Sequence, residues 1–417
     1  IFTKEMKEEY TILVPQMLPI HFNFIVKALR LEGYKVELLE TTHRGIVEAG
    51  LKHVHNDICF PAMLVIGQMI DALKSGKYDV NKTALMITQT GGGCRASNYI
   101  HLLRKGIKKA GFENVPVVSL NLSGLEKNPG FKLSLNLLFR MIYGVVYGDL
   151  LMWLSNRQRA YELRKGETDA LLGQWIERIS KEFEDKNNLK KSKIRENMVQ
   201  IVRDFAKIEV TDETKVRVGV VGEIYVKFAP LGNNNLNAFL EKENAEVIVP
   251  GLMDFLIFKV DNRVEDAKIY GGQYPKKVLA GMLKKYLMSY QELMIETLKE
   301  EGNGLPVPSG YNEIKGMVGK YLGYGNKMGE GWLLTGEMLE LIHSGVENIV
   351  CTQPFGCLPN HIVGKGMIRA IREDHTNANI VAIDYDPGTT SVNQENRLKL
   401  MLATAAKQLQ KKKRAAA

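Results

Sequence analysis

The chain has 417 residues, of which 45% are hydrophobic and 25% are charged, and its formal net charge is +9. This is the composition of a globular protein with a sizeable core, and the length is too great for one ordinary domain. Part of the positive charge lies in runs such as KKSKIRE and the terminal KKKR, with no aromatic-rich basic face, which argues against nucleic-acid binding. A site for an anionic ligand accounts for the charge equally well.

The chain contains four cysteines and no secretory signal. This cysteine usage argues against a disulfide framework and favours a reducing compartment, which predicts a cytoplasmic protein. The chain begins at Ile1, which indicates a processed chain or a piece of a longer polypeptide, and residues 406–417 are predicted to form a solvated tail.

Residues 1–129 alternate strand and helix patterns and are predicted to form a first α/β lobe. The predicted strands are YTILVP, KVELLE, TALMIT and VPVVSLN, and the predicted helices between them are HFNFIVKALRLEG, PAMLVIGQMIDALKSG and RASNYIHLLRKGIKKAG. Alternation at this spacing is typical of βαβ units in a parallel sheet.

Residues 130–212 are predicted to form a helical segment between two lobes. The segment includes an apolar run from Ser134 to Leu154 that is long enough to span a membrane. Arg140 and Asp149 lie within this run, so a buried helix of a soluble domain is the better interpretation, and no membrane span is predicted.

Residues 213–405 are predicted to form a second α/β lobe with a helical insertion at about 262–325. The predicted strands are KVRVGVVGEIYV, AEVIVPGL, VENIVCTQP and NANIVAIDYD, and NQENRLKLMLATAAKQL closes the lobe as a helix. The two lobes look like a loose duplication of one architecture.

All four cysteines are predicted where strands give way to helices. Cys59 and Cys94 belong to the first lobe, whereas Cys351 ends a predicted strand of the second lobe and Cys357 opens the following helix. Ligands of open α/β sheets bind beyond the carboxyl ends of the strands, so thiolates from two facing lobes would converge on one cleft.

The stretch TQTGGGCRASNYI places a glycine run directly before Cys94. Gly91, Gly92 and Gly93 let the backbone approach a bulky ligand and donate N–H groups to it, and a helix N-terminus favours the thiolate. Hydrogen bonds to sulfur tune iron–sulfur clusters, so this stretch is a candidate cluster site.

Basic residues near the cleft are expected to make it attract anions. Arg95 follows Cys94 directly, and Arg44 and Lys365 are predicted close to the same edge, together with several helix N-termini.

A simpler interpretation exists for each cysteine. A lone buried cysteine usually acts as a small hydrophobe, and a glycine run usually makes a tight turn. Four cysteines at equivalent junctions favour a metal, although Cys94 follows Cys59 by 35 positions and the nearest pair is C-x5-C, which matches no zinc ribbon. Zinc therefore stays open as an alternative.

Two further residues are candidates for catalysis. Glu223 follows a predicted strand and is either a general acid/base or an N-capping carboxylate. His361 lies near a predicted helix start and near the cysteines, where a proton donor and a structural histidine are both reasonable.

Five stretches together carry a family resemblance: NDICFPAMLVIGQMIDALKSGKYD, MITQTGGGCRASNYIHLLRKGIKKAG, GEIYVKF, CTQPFGCLPNHIVGKGMI and IDYDPGTTSVNQENRLKLM. They resemble the acyl-CoA dehydratase activase-related proteins, which are similar to the 2-hydroxyacyl-CoA dehydratase, benzoyl-CoA reductase and double-cubane cluster protein group. The resemblance covers about residues 10–405.

This resemblance implies two Rossmann-like (flavodoxin-like) lobes with a [4Fe-4S] cluster between them. It also implies low-potential electrons from an ATP-hydrolysing activase module, fused or separate, in an anaerobic setting, with an acyl-CoA as candidate substrate. In the dehydratase branch three cysteines hold the cubane and one iron stays open for substrate. By motif position, Cys59 and Cys94 match the first two ligands, and the third is Cys351 or Cys357.

The count of four cysteines leaves three hypotheses open. Three ligands would suit a reductase or dehydratase-like component, whereas four would close the cubane and suggest a non-catalytic electron-transfer or scaffold module. A double-cubane cluster would need about six thiolates. The third hypothesis is a zinc-stabilised structural protein, and a homodimer is an open assembly in each case.

Overall fold

The structure is a computed structural model that describes residues 1–55, 57–89, 93–121, 126, 128–272 and 274–416, with side chains as far as 414. Two sheets of parallel strands, one in each half of the chain, form its framework. This confirms the predicted α/β fold with two parallel-sheet lobes.

The first sheet has the strand order β2-β1-β3-β4, and every pair is parallel. Its strands are β1 (Thr11–Pro15), β2 (Lys35–Leu39), β3 (Thr83–Thr88) and β4 (Val117–Leu120). The helices of this half are α1 (Lys4–Glu9), α2 (Pro19–Leu31), α3 (Arg44–His53), α4 (Phe60–Lys74) and α5 (Tyr99–Lys109). Five of the six β3 residues are buried, as expected for a strand covered by helices on both faces.

The second sheet repeats the same order, β6-β5-β7-β8, again with parallel pairs only. Its strands are β5 (Val216–Gly222), β6 (Ala245–Ile248), β7 (Asn348–Pro354) and β8 (Asn379–Tyr385). The order 2-1-3-4 is that of the first four strands of flavodoxin-like folds, so the two lobes share one topology.

Helices fill the space between and around the sheets. Between them in sequence lie α6 (Leu135–Tyr161), α7 (Glu167–Glu182) and α8 (Lys191–Ala206). The second half adds α9 (Ile224–Phe228), α10 (Pro230–Asn233), α11 (Leu236–Lys242), α12 (Leu252–Ile269), α13 (Tyr274–Glu301), α14 (Tyr311–Val318), α15 (Trp332–His343), α16 (Leu358–Val363), α17 (Ile368–Asp374) and α18 (Ser391–Ala416). The residues predicted as a tail from 406 onward instead continue α18.

Helix α6 is long and apolar enough to cross a membrane, and it is the one such helix in the described part of the chain. Its most apolar window is 78% buried inside the structure, as in the core helix of a soluble protein. The two charges within it are satisfied internally. Arg140 donates to the Phe183 carbonyl and pairs with Glu32, and Asp149 accepts from the ring of His21 at 2.8 Å.

The two lobes share one hydrophobic core. It runs from Leu13 and Leu85 of the first sheet to Val220 and Ile349 of the second. Asp149 of α6 adds a polar link, because it accepts from the Leu252 and Met253 N–H groups at 2.7 and 2.8 Å and so caps α12. The contacts fix the two sheets relative to each other.

Candidate functional site

Three of the four cysteines lie at the starts of helical segments. Cys59 is the N-cap of α4, Cys94 precedes the short 3₁₀ turn that leads into α5, and Cys357 is the N-cap of α16. Cys59 and Cys357 are buried, and Cys94 is half-buried. The first two cysteines come from the first lobe, and the third comes from the second.

The turn at residues 355–357 joins the two lobes beside Cys59. The Phe60 N–H donates to the Phe355 carbonyl at 3.0 Å. Gly356 has φ +74°, and a Cβ added there would lie 3.1 Å from the Cys59 Cα. The absence of a side chain at residue 356 favours this close approach, and Cys357 follows directly in the chain.

The three cysteines interact electrostatically. The charge of Cys94 contributes to raising the pKa of both Cys59 and Cys357. Burial is the largest cause at each position, and it raises the pKa of Cys59 to about 11. The expectation that helix N-termini favour the thiolate is therefore wrong for the protein alone, because burial outweighs the backbone N–H groups.

Tyr99 is the polar partner of Cys59. Its hydroxyl lies 3.0 Å from the Cys59 Sγ and lowers the pKa of that thiol, against the larger effect of burial. Tyr99 is the first residue of α5, so the segment after Cys94 reaches back to Cys59.

Two buried carboxyl groups face the cysteines. Glu223 caps α9 by accepting from the Val226 N–H at 2.9 Å, and Glu330 accepts from the Ile224 N–H at 3.0 Å. Burial, and then the charge of Glu330, raise the pKa of Glu223 to about 8. Glu223 therefore caps a helix, which is one of the two roles that the sequence left open, and its role as a general acid/base stays a prediction that the raised pKa favours.

Lys259 interacts with Glu330 and Cys94. The Lys259 ammonium donates to the Gly329 carbonyl, next to Glu330. Burial lowers the pKa of Lys259, while the charges of Glu330 and Cys94 raise it. Among the described residues, the charged side chains that act on Cys59, Cys94 or Cys357 thus include two acids, Glu223 and Glu330, and one lysine, Lys259.

Cys351 is placed differently from the other three. It lies in the middle of β7, three residues before the strand ends, and is fully buried. Its Sγ contacts the Asn360 Oδ1 at 3.8 Å, and burial raises its pKa to about 12. The expectation that Cys351 lies at the strand end is wrong, because β7 continues through Pro354.

The glycine run is only partly described. Gly91 and Gly92 lie outside the described residues. Gly93 is exposed, and a Cβ added there would lie 2.6 Å from the Met328 Sδ, in the segment that carries Glu330. Arg95 is exposed next to Cys94.

The other predicted residues lie elsewhere. Arg44 is exposed on α3 and pairs with Glu48, and Lys365 pairs with Asp384 at 3.3 Å. His361 belongs to the helix that Cys357 caps, but it lines a different cleft beyond β7 and β8. Lys365 lowers the pKa of Cys351, against the larger effect of burial, whereas Lys259 is the lysine that acts on Cys94. The expected ring of Arg44 and Lys365 around the cysteines stays a prediction.

Sequence reasoning missed three neighbours of the cysteines: Tyr99, Lys259 and Glu330. Glu330 follows a glycine and precedes another in KMGEGW, which signals a tight approach but no particular partner. Lys259 lies within α12, and the sequence pattern around it carries no such signal.

Among the described residues, no group of three or more His, Cys, Asp or Glu side chains is arranged to hold a metal ion. No family model matches the chain, and no curated protein matches it.

Proposed function

We propose that the chain is the iron–sulfur component of an ATP-dependent low-potential reductase or dehydratase-like system. The observation that supports this most strongly is that Cys94 interacts electrostatically with both Cys59 and Cys357, which belong to different lobes. A [4Fe-4S] cluster needs several thiolate ligands, and segments far apart in sequence can supply them together.

The local chemistry fits such a group. The candidate ligand groups are thiols. Gly93 and Gly356 have no side chains at positions where a Cβ would lie close to neighbouring atoms. The Tyr99 hydroxyl contacts the Cys59 sulfur. A four-iron cube is several ångström across, so its ligands stand farther apart than those of a single ion. Coordination stabilises thiolates, which offsets the burial that raises their pKa.

The proposed ligand set has three members, because Cys351 lies within β7. Three thiolates leave one iron without a protein sulfur, which favours a substrate-binding component over an electron-transfer module with four thiolates. When bound, the cluster supplies one-electron reduction at low potential. Its electrons come from an ATP-hydrolysing activase, fused or separate, and an acyl-CoA is the candidate substrate.

The chain's own residues have roles to match. Glu223, with a pKa near 8, holds a proton beside the cysteines and can donate it to a bound substrate. Lys259 offsets negative charge at the site. Arg95 lies exposed next to Cys94, where it can meet an anionic ligand. The setting is a reducing cytoplasm without oxygen.

The test is spectroscopy on protein purified without oxygen. Metal analysis should find iron and sulfide rather than zinc, and reduction should produce an electron paramagnetic resonance signal. The signal should change when an acyl-CoA is added, because an open iron responds to substrate. A reducible signal that ignores acyl-CoA supports the electron-transfer module instead, and zinc in place of iron supports the structural protein.

A further inference from the structure

Cys59 has a side-chain hydrogen-bond partner in addition to the backbone groups that all three proposed ligands share. A backbone N–H group of the following helical turn interacts with each of the three sulfurs, and these groups belong to Ala62, Ala96 and Asn360. At Cys59 the Tyr99 hydroxyl also lies 3.0 Å from the Sγ. This donor belongs to a side chain, so one substitution can remove it without changing the backbone.

The contact between Tyr99 and Cys59 joins two segments that the fold holds in place. The Ser97 N–H donates to the Cys94 carbonyl at 3.1 Å, and the Gln89 Nε2 donates to the Ser97 carbonyl at 2.9 Å. Tyr99 begins α5 directly after this turn, and its ring packs against the hydrophobic core that the two lobes share. The hydroxyl is therefore held beside the sulfur by the same segment that carries Cys94.

The direction of this hydrogen bond depends on the state of Cys59. Between a thiol and a hydroxyl, either atom can be the donor. A ligating thiolate has no hydrogen, so it can only accept, whereas a tyrosine hydroxyl keeps its proton at neutral pH and donates. A hydrogen bond to a charged acceptor is also stronger than one between neutral groups.

A hydroxyl that donates to a ligand sulfur changes how easily the site takes up an electron. Reduction adds one electron, and the Tyr99 proton stays on its oxygen. The added negative charge is shared with the ligand sulfurs, so the hydroxyl stabilises the reduced form more than the oxidised form. Hydrogen bonds to sulfur are one of the properties that set the reduction potential of an iron–sulfur cluster.

We propose that Tyr99 raises the reduction potential of the site by donating its hydroxyl hydrogen to the Cys59 sulfur. Tyr99 acts through Cys59 and is a positioning residue, not a ligand. The inference rests on the proposed function, because it requires a cluster held by Cys59, and it adds which side chain makes that cluster easier to reduce. An easier reduction lowers the driving force that the electron donor must supply.

The experiment is a redox titration, followed by electron paramagnetic resonance, of the full chain reconstituted with iron and sulfide without oxygen. Tyr99→Phe removes the hydroxyl and keeps the ring. Its reduction equilibrium should become about tenfold less favourable, which lowers the midpoint potential of a one-electron couple by about 59 mV. The matched control is Tyr161→Phe, which removes a hydroxyl that donates to the Glu246 Oε2 at 2.8 Å at the start of β6. Its midpoint potential should equal that of wild type.

Iron and sulfide content, measured on the same samples, separates this inference from the proposed function. Wild type and both variants should contain equal amounts. Equal potentials for wild type and Tyr99→Phe at equal iron content overturn the role of Tyr99 and leave the proposed function standing. Loss of most of the iron from Tyr99→Phe alone also overturns it, because the hydroxyl would then be needed to bind the cluster. A wild-type chain without iron overturns the proposed function and this inference with it.

Discussion

At the residue scale, burial decides the protonation of several acids as well as the cysteines. Asp254 on α12 is 7% exposed and accepts from the Gln291 Nε2 at 2.6 Å. Burial raises its pKa to about 8, and the nearby charges of Glu337 and Asp149 add to the shift, while the Gln291 hydrogen bond lowers it. The folded protein therefore holds this carboxyl protonated at neutral pH.

This shift predicts a dependence of stability on pH. The pKa of Asp254 is higher in the folded protein than in the unfolded chain. The stabilisation that the protonated carboxyl gives is therefore fully present below about pH 4 and is lost as pH rises through about 8. Asp254→Asn keeps a hydrogen-bond acceptor and removes the titration. Its free energy of unfolding should come closest to that of wild type near pH 4 and exceed it near pH 9 by up to about 5 kcal/mol.

Urea denaturation across this pH range measures the effect. Asp212→Asn, at an exposed position, is the control and should follow wild type throughout. A constant difference between Asp254→Asn and wild type from pH 5 to pH 9 would show that Asp254 does not titrate as described.

At the scale of elements, the contacts between α2, α6 and α12 meet at Asp149. This buried carboxylate accepts from the His21 ring and from two N–H groups at the start of α12. Asp149→Ala leaves these buried donors without an acceptor, so the free energy of unfolding should fall by about 3 kcal/mol. Asp169→Ala removes an exposed ion pair with Arg159 and should cost less than about 1 kcal/mol. Similar small losses in urea denaturation for both variants would contradict the role of Asp149.

The turn before Cys357 allows a second test at this scale. Gly356→Ala imposes a positive φ on alanine and places a Cβ 3.1 Å from the Cys59 Cα. Gly76→Ala imposes a similar φ, +72°, with no atom within 4 Å, so it isolates the backbone strain of about 1 kcal/mol. We expect Gly356→Ala to lower the melting temperature further than Gly76→Ala and also to reduce the iron bound. Identical behaviour of the two variants would mean that the close approach to Cys59 is unimportant.

At the scale of the whole molecule, the sequence predicted the two parallel sheets because each βαβ unit is a local pattern. It did not predict which cysteine of the second lobe interacts with Cys94. Cys351 and Cys357 are six positions apart, and the answer depends on where β7 ends, which the apolar run NIVCTQP does not mark. Glu330 and Lys259 join the site only through loop and helix packing that has no sequence period.

A cluster bound to thiols of both lobes should also stabilise the whole fold. Binding to the folded state alone raises stability, so reconstitution with iron and sulfide should raise the melting temperature of the wild-type chain. The increase should vanish in Cys94→Ala. An equal increase in that variant would place the bound metal away from the cleft.

The most direct test of the central claim is iron and sulfide content per chain, measured without oxygen for wild type and four single Cys→Ala variants. Wild type should contain about four irons and four sulfides. Cys59→Ala, Cys94→Ala and Cys357→Ala should each lose most of both, and the matched Cys351→Ala should retain wild-type content because that thiol lies within β7. Loss of iron from Cys351→Ala with retention in Cys357→Ala, or a wild-type chain that binds no iron, would contradict the three-cysteine site.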